Sequence, residues 1–170
     1  MKLVFLKFFF KNFKYINISE NNIAVFLKLS NENKKSIKKI FWSIKLTQFL
    51  KQILLVDIIT YNNIINSKIF VTIYVFKQLP DNFSIYLVVK NTNELPSLNT
   101  IFFNSIWFER ENKEFFNIKF INNIDHRNLL LTYTNMEFPL IKSYPTSGFK
   151  EIFYNNITNS INYSNITIQI

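Results

Sequence analysis

A chain of 170 residues with 48% hydrophobic and 18% charged residues is long enough for one domain with a core, and too apolar to stay disordered. It has no cysteine and one histidine, His126, which excludes disulfides, thiolate metal sites and iron–sulfur ligation and speaks against a histidine metal centre or a Ser–His–Asp triad. The net charge of +9 suits an anionic partner, but it also suits lysine accumulating with Phe, Ile and Asn, the residues of A/T-rich codons, while glycine falls to a single copy.

The N-terminal MKLVFLKFFFKNFKYI resembles a secretory signal only superficially. Lys7 and Lys11 interrupt its apolar run and no small-x-small cleavage site follows, so an amphipathic first helix or strand is expected there. No stretch reaches the ~18 uninterrupted apolar residues of a membrane span. Asn-x-Ser/Thr sequons such as those at Asn17 and Asn156 arise by chance in an asparagine-rich chain. Ile23 to Leu29 reads as a short strand, after which Ser30 can cap a helix. Ile37, Ile40, Phe41 and Ile44 then fall at i, i+3, i+4 and i+7, one helical stripe directed at a core. The densest basic stretch, Lys34, Lys35, Lys38 and Lys39, lies on the flanks and far side of that helix as a solvated face.

Phe49 to Tyr61 reads as a buried strand around Asp57. Ser67 to Leu79 and Asn82 to Asn91 both alternate with period two, and Pro80-Asp81-Asn82 between them predicts an antiparallel hairpin turning near residues 79–83. Both faces of these strands are apolar, so part of the sheet is expected to be covered on two sides. Pro96 closes the sheet region. Ser105 is placed to cap a helix from Ile106 to Phe116, with Glu109 and Lys113 as an i,i+4 pair. Beyond Asn117 the chain is rich in loop residues, and Ile161 to Ile170 alternates weakly, as a tail that needs a partner surface to become ordered. The expected architecture is α+β: a mixed, largely antiparallel sheet flanked by helices over residues 1–120, then a loop-rich, extended C-terminal arm over residues 121–170 packing on partner subunits.

Residues 97–154 carry a more specific pattern. The stretch SLNTIFFNSIWFERENKEFFNIKF resembles the signature of the 30 kDa, or C-type, subunit family of respiratory NADH dehydrogenase. That signature is roughly Ser-x-x-x-Ile-Phe, a short gap, then Trp-x-Glu-Arg-Glu-x-x-Asp-x-Phe-Gly-Ile-x-Phe. Ser97, Ile101, Phe102, Trp107, Glu109, Arg110, Glu111, Phe116, Ile118 and Phe120 match it, and Glu114 keeps the charge of the family's Asp. Further on, Asp125, Arg127, Leu130 and Tyr133 follow the family's Asp-Leu-Arg-Arg-Ile-Leu-x-x-Tyr. Pro139, Leu140, Lys142, Tyr144, Pro145, Ser147, Gly148, Phe149, Glu151, Ile152 and Tyr154 follow its proline- and glycine-containing end. Each match alone is weak; their order and spacing make the combination specific. There are departures: Asn117 replaces a glycine, which asparagine tolerates better than most residues where φ is positive. Asn123 and Ile124 replace His-Pro, and Asn128, Glu137, Ile141 and Ser143 replace Arg, Gly, Arg and Asp.

The resemblance implies a non-catalytic subunit of the peripheral, matrix-side arm of respiratory complex I, whose NADH dehydrogenase reaction passes electrons through flavin and iron–sulfur clusters to ubiquinone and drives proton translocation. This chain would hold no cofactor, no metal and no catalytic residue; flavin, iron–sulfur clusters and ubiquinone would lie in partner subunits, above all the large quinone-site subunit. It would be a mitochondrial inner-membrane peripheral protein of a hetero-oligomer, with no membrane span of its own and no nucleic acid. Trp107, Glu109, Arg110, Glu111, Asp125, Arg127, Lys142, Pro145 and Gly148 are the structural and interface candidates. Trp107 is expected in the core, and Arg127, Lys142 and the Pro145–Gly148 turn at an interface. Alternating charges such as Glu109, Arg110 and Glu111 usually mark a solvated helix face; the alternative is that Glu109 and Glu111 hold Arg110 or Arg127 in buried pairs that fix the following loop. A mitochondrial ribosomal or other RNA-binding protein is the alternative reading, from the +9 charge and basic residues interleaved with Phe and Tyr. A stand-alone hydrolase fails for want of a nucleophile–base set.

Overall fold

A computed structural model describes residues 15–18, 22–28, 34–46, 52–62, 69–79, 83–91, 93–133 and 138–166. The readings of the first segment and of the Ser30 cap fall outside these residues, as does the Pro80–Asn82 turn. The strands and helices are β1 (Tyr15–Ile18), β2 (Asn22–Lys28), α1 (Lys34–Leu46), β3 (Ile53–Asn62), β4 (Phe70–Gln78), β5 (Phe83–Asn91), β6 (Glu94–Pro96), α2 (Ser105–Phe116), β7 (Lys119–Ile121), β8 (Lys150–Asn155) and β9 (Ser160–Asn165).

Five strands form one sheet in the order β1-β2-β5-β4-β3. β4 and β5 pair antiparallel with Gln78 opposite Phe83, the hairpin that the period-two pattern predicts. β2 pairs with β5 in parallel, and β1–β2 and β3–β4 are antiparallel, so the sheet is mixed and mostly antiparallel. A short parallel pair, β6–β7, and an antiparallel hairpin, β8–β9, complete the strands.

The helical stripe of α1 lands on this sheet. Ile37, Phe41 and Ile44 are buried and Ile40 packs against the same core. The Phe41 ring meets Tyr74 edge-on at 4.9 Å between centroids and lies 5.7 Å from Phe76, which in turn meets Phe102 at 5.3 Å. Such contacts add about 0.5–1.5 kcal/mol per pair beyond burial of area. The Lys45 ammonium at the end of α1 donates to the Ile101 carbonyl and lies over the Phe102 ring, tying the helix to the turn before α2.

β3 differs from the sequence expectation. It is buried on one face only, with Ile53, Leu55, Ile58, Thr60 and Asn62 inward and Leu54, Val56, Ile59 and Tyr61 half exposed. The cause is a shift of register between Leu55 and Asp57. One extra residue flips the parity of the strand, so residues on both sides of the bulge reach the same core and the run looks apolar throughout. Its neighbours are covered on the outward side as well: Val71 and Val88 point away from the core face and are buried.

Candidate functional site

α2 and the segments around it hold most of the candidate residues. The helix begins at Ser105 with Asn104 as N-cap and no side-chain cap hydrogen bond, so Ser105 is its first residue rather than its cap. It ends at Asn117, whose left-handed conformation (φ 55°, ψ 35°) lets its N–H reach the Lys113 carbonyl. This is the conformation expected for an asparagine standing in for glycine. Gly148, with φ +77°, also needs the freedom of its residue type, at the end of a turn closed by its N–H to the Pro145 carbonyl.

α2 buries polar residues on two sides: Ser105, Glu109 and Asn112 toward the 97–102 turn and β3, and Arg110 and Glu114 toward loop 122–133. Trp107 lies ~200° of helix from Ser105, on the side of the helix shared with Arg110 and Glu114. It is 57% exposed, which corrects the expectation of a core residue. The Arg110 guanidinium sits 5.3 Å from its ring centroid. Phe103, one turn earlier, is also exposed.

Glu109 is fully buried. One carboxylate oxygen accepts from Ser97 Oγ at 2.7 Å and the other from the Leu98 N–H at 2.6 Å, which fixes the 97–102 turn onto the helix. Burial pushes this carboxyl above its ordinary range, against the lowering effect of those two hydrogen bonds. Burial and the Glu109 charge together raise the neighbouring Tyr74 hydroxyl. The expected Glu109–Lys113 pair does not form, since Lys113 Nζ donates to the His126 carbonyl instead.

The arginines do not pair with Glu109 or Glu111. Arg110 donates from Nε to the Arg127 carbonyl at 2.9 Å and from Nη2 to the Asn128 carbonyl at 2.8 Å, and lies 3.5 Å from Asp125. Arg127 grips Asp125 through Nη2 at 2.8 Å on an open surface, while the Arg127 N–H donates to the same carboxylate. Arg127's hydrogen bonds hold the Asp125 carboxyl well below the usual range, with Arg110 adding to the effect. Glu114, which the sequence marks only by its retained charge, is the other anchor. It accepts the N–H groups of Leu129, Leu130 and Leu131; burial raises its carboxyl, and these three donors with Arg110 outweigh that and hold it low. Helix and loop 122–133 are thus locked together by buried polar contacts that hydropathy cannot reveal. Asp125, His126 and Arg127 line an open depression with Ile124 and Tyr133.

The remaining candidates lie elsewhere. Glu111 faces β3 across a groove shared with Asp57. Lys142 is exposed, and Tyr144 stacks edge-on against Phe149 at 5.3 Å beside the Gly148 turn. From there the chain enters the β8–β9 hairpin. Its register places Ile152 opposite Tyr163 and Tyr154 opposite Ile161. These four share one face and are 64%, 68%, 58% and 63% exposed, whereas the other face carries Glu151, Asn155, Ser160, Asn162 and Ser164 around Phe153. The segment read as the start of an extended tail is one strand of an amphipathic hairpin with its apolar face uncovered. Among the described residues no group of three or more His, Cys, Asp or Glu side chains could hold a metal, and no helix is long and apolar enough to cross a membrane.

The chain is similar to several known proteins. The chain is 33% identical over 90 residues to NADH-ubiquinone oxidoreductase subunit 9 of Acanthamoeba castellanii, covering 53% of this chain and 46% of that protein. It is 28% identical over 141 residues to the subunit 9 of Dictyostelium citrinum, covering 79% and 68%. It is 32% identical over 82 residues to the C-type NADH-quinone oxidoreductase subunit of Rickettsia bellii, covering 48% and 42%. The chain thus spans about half the length of two of these relatives. In fold it is similar to a trypsin-resistant fragment of Nqo5, with a TM-score of 0.57 and 20% identity over 75% of this chain and 98% of that one. It is also similar in fold to a chain of an archaeal membrane-bound sulfane sulfur reductase, with a TM-score of 0.70 and 11% identity over 85% of each. The family described as the 30 kDa subunit of respiratory-chain NADH dehydrogenase matches residues 33–150, from α1 through the Gly148 turn, and to that family the chain belongs.

Proposed function

We propose that the chain is a non-catalytic core subunit of the peripheral, matrix-side arm of mitochondrial NADH:ubiquinone oxidoreductase, encoded in the mitochondrial genome. It scaffolds the quinone-reducing module while flavin, iron–sulfur clusters and ubiquinone reside in its partners. The α+β domain supplies a rigid body, and the arm beyond residue 121 packs on the large quinone-site subunit. Electron transfer needs redox groups held in fixed geometry, and a chain that positions its neighbours contributes to that without chemistry of its own.

The observation that carries this reading beyond family membership is the β8–β9 hairpin. A two-stranded hairpin is at best marginally stable in water, and this one offers Ile152, Tyr154, Ile161 and Tyr163 as an uncovered apolar face. Aromatic residues in such a patch are what the centre of an obligate interface uses. Trp107, Arg127, Lys142 and the Pro145–Gly148 turn are the further contacts proposed, with Arg110 and Asp125 presenting Arg127.

Gently solubilised mitochondrial membranes resolved by native electrophoresis test the reading. The chain, located by peptide mass spectrometry, is expected in the band with in-gel NADH dehydrogenase activity and with flavin and iron–sulfur subunits. Its recovery with ribosomal RNA and ribosomal proteins would overturn the proposal.

A further inference from the structure

β3 is an edge strand of the five-stranded sheet, and an open edge is a template for strand addition. Here α2 runs beside it and occupies its outward backbone groups. Asn104 Nδ2 donates to the Leu55 carbonyl and Asn112 Nδ2 to the Ile58 carbonyl at 2.7 Å, while Asp57 Oδ1 accepts the Ile58 N–H at 2.7 Å. From Leu55 to Ile58 the edge is therefore closed to another strand, and a partner must engage it by side chains.

Between β3 and α2 lies a cavity of about 260 Å³, lined by Asp57, Ile59, Glu111, Phe115, Phe116 and Leu140 among others. That is below the ~300–1,000 Å³ of small-molecule pockets and suits a single side chain. Its lining combines apolar side chains with Thr60 and Asn112, whose Oγ1 and Nδ2 are engaged within the chain, and two carboxylates, Asp57 and Glu111. Among the described residues no cation lies within salt-bridge distance of either, although the chain carries nine more basic than acidic residues. Ile59 continues the groove onto the outward face of β3, where Leu54, Val56 and Tyr61 stand half exposed.

We propose that this groove is a docking socket for a neighbouring subunit's segment in which a lysine or arginine is flanked by apolar residues. The aliphatic stem lies over Phe115 and Leu140, the cation reaches Asp57 and Glu111, and the flanking residues cover the outward side chains of β3. A long basic side chain is the one that can satisfy apolar walls and acidic ends at once. The inference rests on the chain being an assembled subunit and concerns a surface separate from the β8–β9 hairpin.

The test is carbodiimide labelling of carboxylates with glycine ethyl ester, in the intact membrane complex and in the chain alone, read by peptide mass spectrometry. Asp57 and Glu111 are expected to label about ten-fold or more slowly in the complex, as groups withdrawn into an interface. In complexes carrying Asp57→Asn and Glu111→Gln together, the chain is expected to release at lower salt than the unmodified one. Equal labelling in both settings, release at unchanged salt, or coupling of either carboxylate to a lysine of a second copy would overturn the socket while the chain still copurifies. Absence of the unmodified chain from the complex overturns the subunit reading, and the socket with it.

Discussion

Glu109 shows how much one side chain can organise. Its carboxylate is the acceptor for both the Leu98 N–H and Ser97 Oγ, so the turn bearing core residues Leu98, Ile101 and Phe102 depends on it. Glu109→Ala leaves two buried donors without a partner and is expected to cost about 2–4 kcal/mol at pH 4, and less as pH rises. Glu109→Gln keeps an acceptor and sheds the charge. Because burial raises this carboxyl, the folded state holds its proton more firmly than the unfolded state does. Its contribution therefore falls as pH rises from the ordinary carboxyl range through the raised value. Urea unfolding should find the glutamine variant gaining on the parent as pH is raised from 4 to 7. A gap that stays constant with pH would show that the buried charge carries no such cost.

At the scale of elements, what is legible in the sequence follows periodicity. The α1 stripe and the β4–β5 hairpin repeat at 3.6 and 2 residues, and the structure has both. The bulge at Leu55–Asp57 breaks the period it sits in, so β3 reads as buried on both faces. The parallel β2–β5 pairing joins distant segments and leaves no local trace. α2 misleads for a different reason: it buries Glu109, Arg110, Asn112 and Glu114 on two sides in contacts to distant backbone, while Trp107 stays exposed. The family resemblance points to the right segment without indicating which way it faces. It does locate a backbone requirement, since Asn117 ends α2 in the left-handed region. Asn117→Ala should destabilise by about 1 kcal/mol, and Asn117→Gly should cost nothing or stabilise slightly. Urea midpoints at unchanged slope would measure this, and equal midpoints for the alanine variant and the parent would refute it.

For the whole molecule we propose a division into a body, whose described core is closed, and an arm, whose apolar face is open. The body is closed by α1, the 97–102 turn and α2 over one face of the sheet, with loop 122–133 pinned through Glu114 and Arg110. Among the described residues, by contrast, β8 and β9 pair with each other, and Ile166 lies beside Gly148 at their base. Folding and assembly should therefore be separable. Ending the chain after Phe149 removes β8 and β9 but none of the core, so the unfolding free energy of the body should change by less than about 1 kcal/mol. Incorporation into the membrane complex should fail, because the apolar face offered to the partner has gone. Replacing Ile152 and Tyr163, a facing pair on that surface, with serine should weaken incorporation in the same direction while leaving the chain its full length. Both variants are read by urea unfolding and by native electrophoresis. A truncated chain that still enters the complex normally would move the main interface to the body, onto the surface around Trp107 and Arg127. A truncated chain that no longer folds would instead show the arm to be part of the domain.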